Sequence, residues 1–340
     1  MNFVTGATGL VGSHLLYELT AGGHKVRAAF RKGSNLDMVR LIFSWYNPAE
    51  GDKLFEQIEW VETYIDDYFS LREALEKVKT VYHCAALVSF QPSDRKRMLK
   101  INVEGTANLV NACLNAGIEK LCHCSSVAAL GNPLAGNTFD ESISWKTSPR
   151  NTWYAISKYG AEREVWRGSE EGLRVVIVNP SIIIGPGDIS RSSAQLYKSV
   201  KKGLRFYTKG ITGFVDVRDV ARIMLMLAES TLEGERFIVS SQNLQYKQVF
   251  EMFALAAGTR PPDIYAGPVL SSIAWRLEKM RSLITVTQPL ITRETARNAN
   301  SIRHFSNEKI IGALGFRFRT VEEAVNNTVA FYQKFPKLAE

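Results

Sequence analysis

Short apolar runs alternate with longer amphipathic stretches over the first half of the chain. The runs predict buried strands and lie near residues 2–4, 25–30, 58–61, 80–86 and 120–124. The stretches repeat their apolar side chains at the spacing of one helix face and cover residues 10–19, 35–45, 71–77 and 94–116. Because parallel strands need such crossover helices, the alternation predicts an α/β protein with a doubly wound parallel sheet.

The turn between the first strand and the first helix carries Gly6, Gly9 and Gly12. The first glycine suits backbone angles that other residues avoid, the second lets a ligand approach the backbone, and the third lets the helix pack on the sheet. The free N–H groups and the positive dipole end of the helix then face an anion. This turn therefore predicts a site for the pyrophosphate of a dinucleotide.

The end of the second strand selects the cofactor. A carboxylate there would accept hydrogen bonds from the adenosine ribose of NAD, whereas a basic side chain would pair with the 2′-phosphate of NADP. The chain has Phe30 at this position, followed by Arg31 and Lys32. We therefore expect NADP(H) as the preferred cofactor, with NAD(H) as the alternative if the basic residues form only a solvated turn.

A serine pair, a tyrosine and a lysine follow the fifth strand. Ser125 and Ser126 stand at its carboxyl end, where parallel sheets place functional groups. Tyr154 and Lys158 are four residues apart, which puts a phenol and an ammonium on one face of a helix over residues 151–168. Because an ammonium stabilises a phenolate, the pair suits acid–base chemistry, and a solvated helix face is the alternative.

The regular alternation stops after residue 187. We predict a polar loop, a basic helix with three lysines, a returning helix and strand, and two later helices, over residues 188–193, 198–202, 217–229, 236–239, 246–257 and 321–335. The last of these helices is expected on the exterior of the fold. This pattern predicts a dinucleotide-binding domain of residues 1–184 with 214–240, and a smaller, discontinuous, α-rich substrate domain of residues 185–213 with 241–340.

A further helix is expected over residues 269–284. Its apolar stripe consists of Val269, Ile273, Leu277, Met280 and Ile284, and its basic residues are Arg276, Lys279 and Arg281. Burial of the stripe over the substrate pocket is the expected arrangement, and contact with a membrane surface is the alternative.

Composition excludes several classes of protein. The 340 residues are 45% hydrophobic and carry a net charge of +8, but Lys and Arg are spread along the chain, so a nucleic-acid partner is not indicated. No apolar run reaches membrane-spanning length, and Met1 is followed at once by the first strand, so we expect neither a membrane span nor a signal peptide.

The cysteines carry no sign of disulfides or of a metal site. They are Cys84, Cys113, Cys122 and Cys124. Most lie in apolar runs, so we expect them to be reduced and buried, as in a cytoplasmic protein. Cys122, His123 and Cys124 alternate across a strand and lack a second ligand pair at zinc-like spacing, so no metal is expected.

Together these residues resemble the extended short-chain dehydrogenase/reductases, also called the NAD-dependent epimerase/dehydratase family. The resemblance covers nearly the whole chain. It depends on the segments Thr5–Gly12, His83–Ala86, Asn102–Thr106, Ser125-Ser126 followed by Gly131, Tyr154–Lys158, Asn179-Pro180-Ser181 with Gly185–Gly187, and Phe214–Ala221. It implies a Rossmann fold and hydride transfer with a nicotinamide cofactor.

The resemblance also implies roles for single residues. Tyr154 would donate or accept the proton at the substrate oxygen, Lys158 would bind the nicotinamide ribose and lower the pKa of the tyrosine, and Ser126 would hydrogen-bond the same oxygen. Ser126 is chosen over Ser125 because Gly131 follows it by five residues. The cofactor would be bound by Gly6, Thr8, Gly9, Leu10, Val11, Gly12, Arg31, Lys32, Asp66, Ala85, Ala86, Asn102, Ser125, Tyr154, Lys158, Pro180 and Ser181.

Two segments, Val26–Arg31 and Asn179–Pro186, look most like the dihydroflavonol-reductase and hopanoid-associated-epimerase branches, which favours carbonyl reduction with NADPH. One departure concerns adenine. Where the family usually has Gly-Asp after the third strand, this chain has Thr63-Tyr64, and Tyr64 cannot accept the adenine amino hydrogen bond. Stacking on Tyr64 is the alternative contact.

Three functions are consistent with these residues. The first is an NADP-preferring oxidoreductase acting on a carbonyl or secondary alcohol. The second is a nucleotide-sugar epimerase or dehydratase that keeps its NAD(P) tightly bound, and the third is a cofactor sensor without catalysis. The family's habit of pairing the long helices near residues 94–116 and 151–168 also predicts a homodimer.

Overall fold

The computed structural model describes residues 1–133, 136–149, 151–189, 194–273, 275–276 and 297–339. The strands are β1 (Asn2–Thr5), β2 (Val26–Phe30), β3 (Glu59–Glu62), β4 (Thr80–His83), β5 (Lys120–Cys124), β6 (Thr138–Phe139), β7 (Val175–Pro180), β8 (Ile182–Ile184), β9 (Phe206–Tyr207), β10 (Ile211–Asp216), β11 (Glu235–Val239), β12 (Gln242–Gln245), β13 (Ile264–Tyr265) and β14 (His304–Phe305). The α-helices are α1 (Leu10–Ala21), α2 (Leu36–Tyr46), α3 (Gly51–Glu56), α4 (Tyr68–Ala74), α5 (Arg95–Met98), α6 (Gly105–Ala116), α7 (Trp153–Glu170), α8 (Ala194–Lys201), α9 (Val217–Glu229), α10 (Tyr246–Ala257), α11 (Glu308–Leu314) and α12 (Val321–Lys334). In these segments, no helix is long and apolar enough to cross a membrane.

The largest sheet has seven parallel strands in the order β3-β2-β1-β4-β5-β7-β11. The central strands β5 and β7 are buried along their whole length, as parallel strands are when helices cover both faces. The chain order reverses between β1 and β4, and the carboxyl ends of strands at such a reversal form a ligand crevice. These features confirm the predicted doubly wound Rossmann fold.

Alternate residues of each central strand point into two different cores. On β5, Leu121 packs in a cluster with Phe3 and Leu109, whereas Cys122 packs in a cluster with Val4 and Leu15. The first cluster is covered by α4, α6 and α7, and the second by α1, α2 and α9. Because both faces are apolar, the sequence of these strands lacks the alternation of a half-exposed sheet.

A second, smaller sheet has the order β12-β10-β8, with β8 parallel and β12 antiparallel to β10. It packs against α10 and α12 around Phe214, Phe253, Val325 and Phe331. The predicted division into residues 1–184 with 214–240 and residues 185–213 with 241–340 stays a prediction.

The closing helix differs from its expected place on the exterior. One face of α12 is buried, including Val321, Val325 and Tyr332, and it packs on α10 and the small sheet. The buried residues recur at three- and four-residue intervals, so the amphipathic pattern was present in the sequence. Burial of this face makes α12 part of the second core.

The long helix expected over residues 94–116 is also not regular. The segment Leu99–Glu104 is a π-helix that separates α5 from α6. A π turn holds an extra residue and is common at functional sites.

The helix expected over residues 269–284 is described only at its beginning, as a helical turn over residues 268–273 and at residues 275–276. Leu277, Lys279, Met280, Arg281 and Ile284 lie outside the described residues, as do residues 190–193 of the predicted polar loop. The predicted burial of Val269 and Ile273 is wrong, because they are 75% and 49% exposed. Ser271 takes the buried position instead and donates a hydrogen bond to the Ala266 carbonyl at 3.0 Å.

Candidate active site at the carboxyl ends of the strands

The glycine turn between β1 and α1 is closely packed. Gly6 has a φ of +64°, and a Cβ there would lie 2.5 Å from the backbone nitrogen of Ala85. A Cβ on Gly12 would lie 2.2 Å from the carbonyl oxygen of Gly6, whereas a Cβ on Gly9 would meet no atom closer than 3.1 Å. Gly6 and Gly12 are therefore required by backbone contacts, and Gly9 leaves the start of α1 open.

The start of α1 suits an anion. Gly9 is its N-cap and supplies no capping side chain, and the first turn contains no acidic residue. The first N–H groups of the helix are therefore available to a phosphate, together with the positive end of the helix dipole. Thr8 and Leu10 are half-buried beside the exposed Gly9, and Val11 faces the core. The residues of this turn fit the pyrophosphate of a dinucleotide.

The end of β2 presents the two basic residues that were expected to choose the cofactor. Arg31 and Lys32 are exposed, and neither forms an ion pair within the described part of the chain. Tyr64 donates a hydrogen bond to Glu62 at 2.7 Å and accepts one from the backbone N–H of Lys32 at 3.4 Å. The Tyr64 ring therefore lies beside this turn, where stacking on an adenine would require it.

Sequence reasoning missed Glu62. It ends β3 and is the register partner of Phe30, so a carboxylate stands one strand away from the position where an NAD-binding acid was sought. Asp66, predicted to bind cofactor, forms an ion pair with Lys100 at 3.0 Å. The hydrogen bond from this lysine lowers the pKa of Asp66.

Ser126 and Tyr154 meet at the carboxyl end of β5. The serine caps the short helix Val127–Ala129 by accepting a hydrogen bond from the backbone N–H of Ala128 at 3.1 Å. Burial raises the pKa of Tyr154 to about 12, and a hydrogen bond with Ser126 acts in the opposite direction. The ring of Phe90 packs edge-on against Tyr154 at a centroid distance of 5.7 Å.

Lys158 lies one helical turn after Tyr154 and is 2% exposed. Its ammonium donates a hydrogen bond to the carbonyl oxygen of Cys124 at 2.9 Å. Burial lowers the pKa of this lysine. For the pKa of Tyr154, burial is the largest cause and Ser126 opposes it, and the lowering by Lys158 that the resemblance implies stays a prediction.

A buried carboxylate behind Lys158 was not found by sequence reasoning. Glu162 is 1% exposed and lies one further turn along α7. It accepts a hydrogen bond from the side-chain amide of Asn179, which also donates to the Ser126 carbonyl at 3.0 Å. Arg236 lies 3.6 Å from the same carboxylate. Burial raises the pKa of Glu162, and the hydrogen bond from Asn179 lowers it in part.

Asn102 occupies the π segment. Its side chain binds both backbone groups of Leu87, at 2.7 and 2.9 Å, and donates to Ser157 Oγ at 2.9 Å. The Ser157 hydroxyl donates in turn to the Tyr154 carbonyl at 2.8 Å. Asn102 therefore forms a hydrogen-bonded tie between α7 and the loop after β4, and this loop contains Ala85 and Ala86.

His83 connects this tie to the glycine turn. Thr106 donates to the Asn102 carbonyl at 2.6 Å and lies 2.9 Å from His83 Nε2, while Thr5 Oγ1 lies 2.8 Å from His83 Nδ1. Thr5 also accepts from the Ala85 N–H, so its own proton goes to the imidazole. These bonds assign a neutral ring protonated at Nε2. Burial lowers the pKa of His83 to about 3.

Pro180 and Ser181 end β7 and enter the second sheet. The Ser181 N–H donates to the Val239 carbonyl at 3.1 Å. Its hydroxyl is buried and has no hydrogen-bond partner among the described residues. A buried hydroxyl without a partner at this strand end fits the predicted contact with the cofactor.

A metal site is not supported in the described segments, where no group of three or more His, Cys, Asp or Glu side chains is arranged to bind an ion. The four cysteines are free thiols, and three of them are buried.

Comparison with known proteins now identifies the family. Residues 2–240 match the NAD dependent epimerase/dehydratase family. The chain belongs to this family. It is 31% identical over 315 residues to the sterol demethylase protein B of Methylococcus capsulatus, covering 90% of this chain and 88% of that protein. It is 26% identical to the tetraketide alpha-pyrone reductase 1 of Arabidopsis thaliana, covering 96% and 93%.

Two solved structures have the same fold. The crystal structure of gox2253 superimposes with a TM-score of 0.80 at 32% identity, covering 98% of each chain. A UDP-glucose 4-epimerase of Thermotoga maritima, solved with UDP-glucose, superimposes with a TM-score of 0.76 at 20% identity, covering 99% of this chain and 100% of that one. At 20% identity, the similarity to this epimerase shows the fold alone.

Proposed function

We propose that this family member is an NADP-preferring oxidoreductase that reduces a carbonyl group or oxidises a secondary alcohol. The observation that carries the proposal is the meeting of Ser126 and Tyr154 at the end of β5, one helical turn from the buried Lys158. A bound nicotinamide cofactor supplies the hydride. The reductase named among its relatives supports this reading.

The chain's own residues handle the proton. In the reduction direction, the Tyr154 hydroxyl donates its proton to the substrate oxygen, and Ser126 hydrogen-bonds that oxygen. With its pKa raised to about 12, the phenol keeps its proton near neutral pH. Tyr154 is therefore held as an acid, which reduction requires.

Lys158 orients the site in two ways. Its ammonium is fixed on the Cys124 carbonyl, at the level where a cofactor ribose would lie against β5. Lys158 follows Tyr154 by four residues on the same helix face. Its positive charge therefore favours the phenolate once the tyrosine has given up its proton. Glu162 and Asn179 hold the helix and strand around it.

Arg31 and Lys32 support NADP(H) over NAD(H), because both are exposed and unpaired in the described residues beside the predicted ribose site. Titration of the protein with NADPH and NADH measures the preference directly. We expect tighter binding of NADPH, and we expect the double variant Arg31→Ala with Lys32→Ala to lose that preference. Tighter NADH binding by the wild type would reassign the selection to Glu62.

Tyr154→Phe tests the chemistry. Loss of the hydroxyl removes the proton donor, so turnover should fall by about 10³-fold while the cofactor dissociation constant is unchanged. Tyr159→Phe, on the same helix and stacked on Trp145 at 4.4 Å, is the matched control and should keep its activity. Substantial turnover by the Tyr154 variant would refute the role.

The same assay separates reductase from epimerase. Ketones and nucleotide sugars are screened with the preferred cofactor, and the nicotinamide absorbance is followed. A net change in absorbance supports the oxidoreductase. Product formation from a nucleotide sugar with no net change would support the epimerase or dehydratase alternative, and cofactor binding without any turnover would support a sensor.

A further inference from the structure

Exposed apolar side chains gather on the elements around β9 and β13. We name Phe206, Ile264, Val269, Leu270 and Ile273 the apolar patch; their exposed fractions are 50%, 38%, 75%, 39% and 49%. Phe206 and Ile264 are register partners, so they lie side by side on one face of the two-stranded sheet. Because soluble surfaces rarely group several large apolar side chains, the patch indicates a binding surface.

The helical turn over residues 268–273 has its polarity reversed. Ser271 is 8% exposed and accepts a hydrogen bond from the Asn300 side chain at 3.1 Å, so a hydroxyl faces the protein. Val269 and Ile273, four residues apart on the same helix face, point outward. A helix packed on a water-soluble core has the opposite arrangement. The outward face of this turn is therefore suited to an apolar medium.

Basic residues surround the apolar patch. Residues 194–215 and 258–276 together contain seven basic residues and one acid, Asp263. Arg205 and Arg260 both pair with that acid. Lys201 and Lys202 are exposed at the end of α8, shortly before Phe206, and Lys209 lies over the ring of Tyr265 at 4.8 Å. These two segments therefore carry a net positive charge, which attracts an anionic surface.

We propose that the apolar patch binds the surface of a membrane that contains anionic phospholipids. Val269, Leu270 and Ile273 enter the boundary between headgroups and acyl chains, and the surrounding lysines and arginines contact the lipid phosphates. A second copy of this chain is a poorer occupant, because a symmetric contact would bring two positively charged rims together.

Vesicle sedimentation tests this proposal on the full chain without cofactor or substrate, so its outcome does not depend on the proposed reductase chemistry. The probes are vesicles of phosphatidylcholine alone and of phosphatidylcholine with phosphatidylglycerol. We expect the wild type to sediment with the anionic vesicles and to be released as salt is raised. The double variant Val269→Asp with Ile273→Asp should lose about tenfold in vesicle affinity, because charged side chains do not enter the acyl boundary.

Matched controls separate a specific surface from general stickiness. Leu255 is 83% exposed on α10, outside the patch, and Leu255→Asp should bind vesicles like the wild type. Lys201→Glu with Lys202→Glu should weaken binding to the anionic vesicles, whereas the same change at the exposed Lys25 and Lys53 should not. Far-ultraviolet circular dichroism checks that each variant is folded.

Three results would overturn the proposal. The first is a wild type that stays in the supernatant with both kinds of vesicle. The second is equal loss of binding by the Leu255 control. The third is a dimer in solution that the Val269 and Ile273 variant converts to a monomer, which would assign the patch to a second copy of this chain.

Discussion

Burial favours the neutral form of both Tyr154 and Lys158. It therefore raises the pKa of the tyrosine and lowers the pKa of the lysine. For the tyrosine, this keeps a proton available for donation. The hydrogen bond with Ser126 lowers the pKa of Tyr154 and so favours the phenolate. The serine therefore affects both the substrate oxygen and the group that protonates it.

Removing the Ser126 hydroxyl should change the pH dependence of alcohol oxidation, which requires the phenolate. Because its hydrogen bond lowers the pKa of Tyr154, Ser126→Ala should move the rising limb of kcat/KM to higher pH. We also expect kcat/KM near neutral pH to fall by about 10²-fold through loss of a donor to the substrate oxygen. A pH–rate series in the oxidation direction measures both effects.

Ser125→Ala is the control for that series. Its buried hydroxyl has no hydrogen-bond partner among the described residues and does not act on the pKa of Tyr154, so the rising limb should stay at the pH of the wild type. If Ser125→Ala shifts the rising limb of kcat/KM to higher pH and Ser126→Ala does not, Ser125 is the serine that acts on Tyr154.

His123 is a second residue whose environment makes a prediction. It is 1% exposed, and neither ring nitrogen has a hydrogen-bond partner in the part of the chain that the structure describes. Leaving such groups unpaired costs about 1–3 kcal/mol, so His123→Leu should raise the free energy of unfolding at pH 7. The expected gain is measured by urea unfolding.

The gain should be larger in acid. Burial holds the pKa of His123 well below 6.5 in the folded chain, so stability present above pH 6.5 is lost as pH falls and the unfolded chain takes up a proton. At pH 5.5 this loss is about 1.4 kcal/mol for one histidine, and the leucine variant avoids it. His83→Leu should have the opposite sign at pH 7, since it breaks the bonds to Thr5 and Thr106.

At the level of elements, a hydroxyl on the last helix bonds the loop that follows β8. Tyr332 on α12 donates to the Gly187 carbonyl at 2.7 Å and stacks on Tyr197 at 5.0 Å. Tyr332→Phe keeps the stacking and leaves the carbonyl unpaired, so we expect a loss of about 1–2 kcal/mol in the free energy of unfolding. Tyr207→Phe is the control, because its hydroxyl makes no hydrogen bond to a described residue. Equal losses in both variants would contradict the role of this bond.

The elements that sequence predicted are those with local signals. The strand and helix around Gly6 to Gly12, the buried strand at Lys120–Cys124, and the four-residue spacing of Tyr154 and Lys158 all follow from neighbours in sequence. The π segment was not predicted, because a single extra residue interrupts the apolar spacing at only one point and the stretch still resembles one helix. Glu162 was missed because its partners Asn179 and Arg236 come from strands far along the chain.

At the scale of the whole molecule, the predicted homodimer would use the outer faces of α6 and α7. Those faces carry Asn108, Asn111, Asn115 and Arg167, and the exposed large apolar side chains of the described residues lie elsewhere. A polar interface binds weakly, so we expect a monomer–dimer equilibrium in the micromolar range. Sedimentation equilibrium measures it, and a monomer at every concentration would contradict the homodimer.

The π segment between α5 and α6 has a consequence for how this chain can vary. Each residue of an α-helix turns the chain by about 100°, and a π turn holds one extra residue, so deleting one residue within 99–101 would restore a regular helix in place of the π segment. Asn102 would then no longer face both Leu87 and Ser157. A deletion in this segment should therefore break the Asn102 contacts. A substitution of the exposed Lys100 side chain should leave them intact.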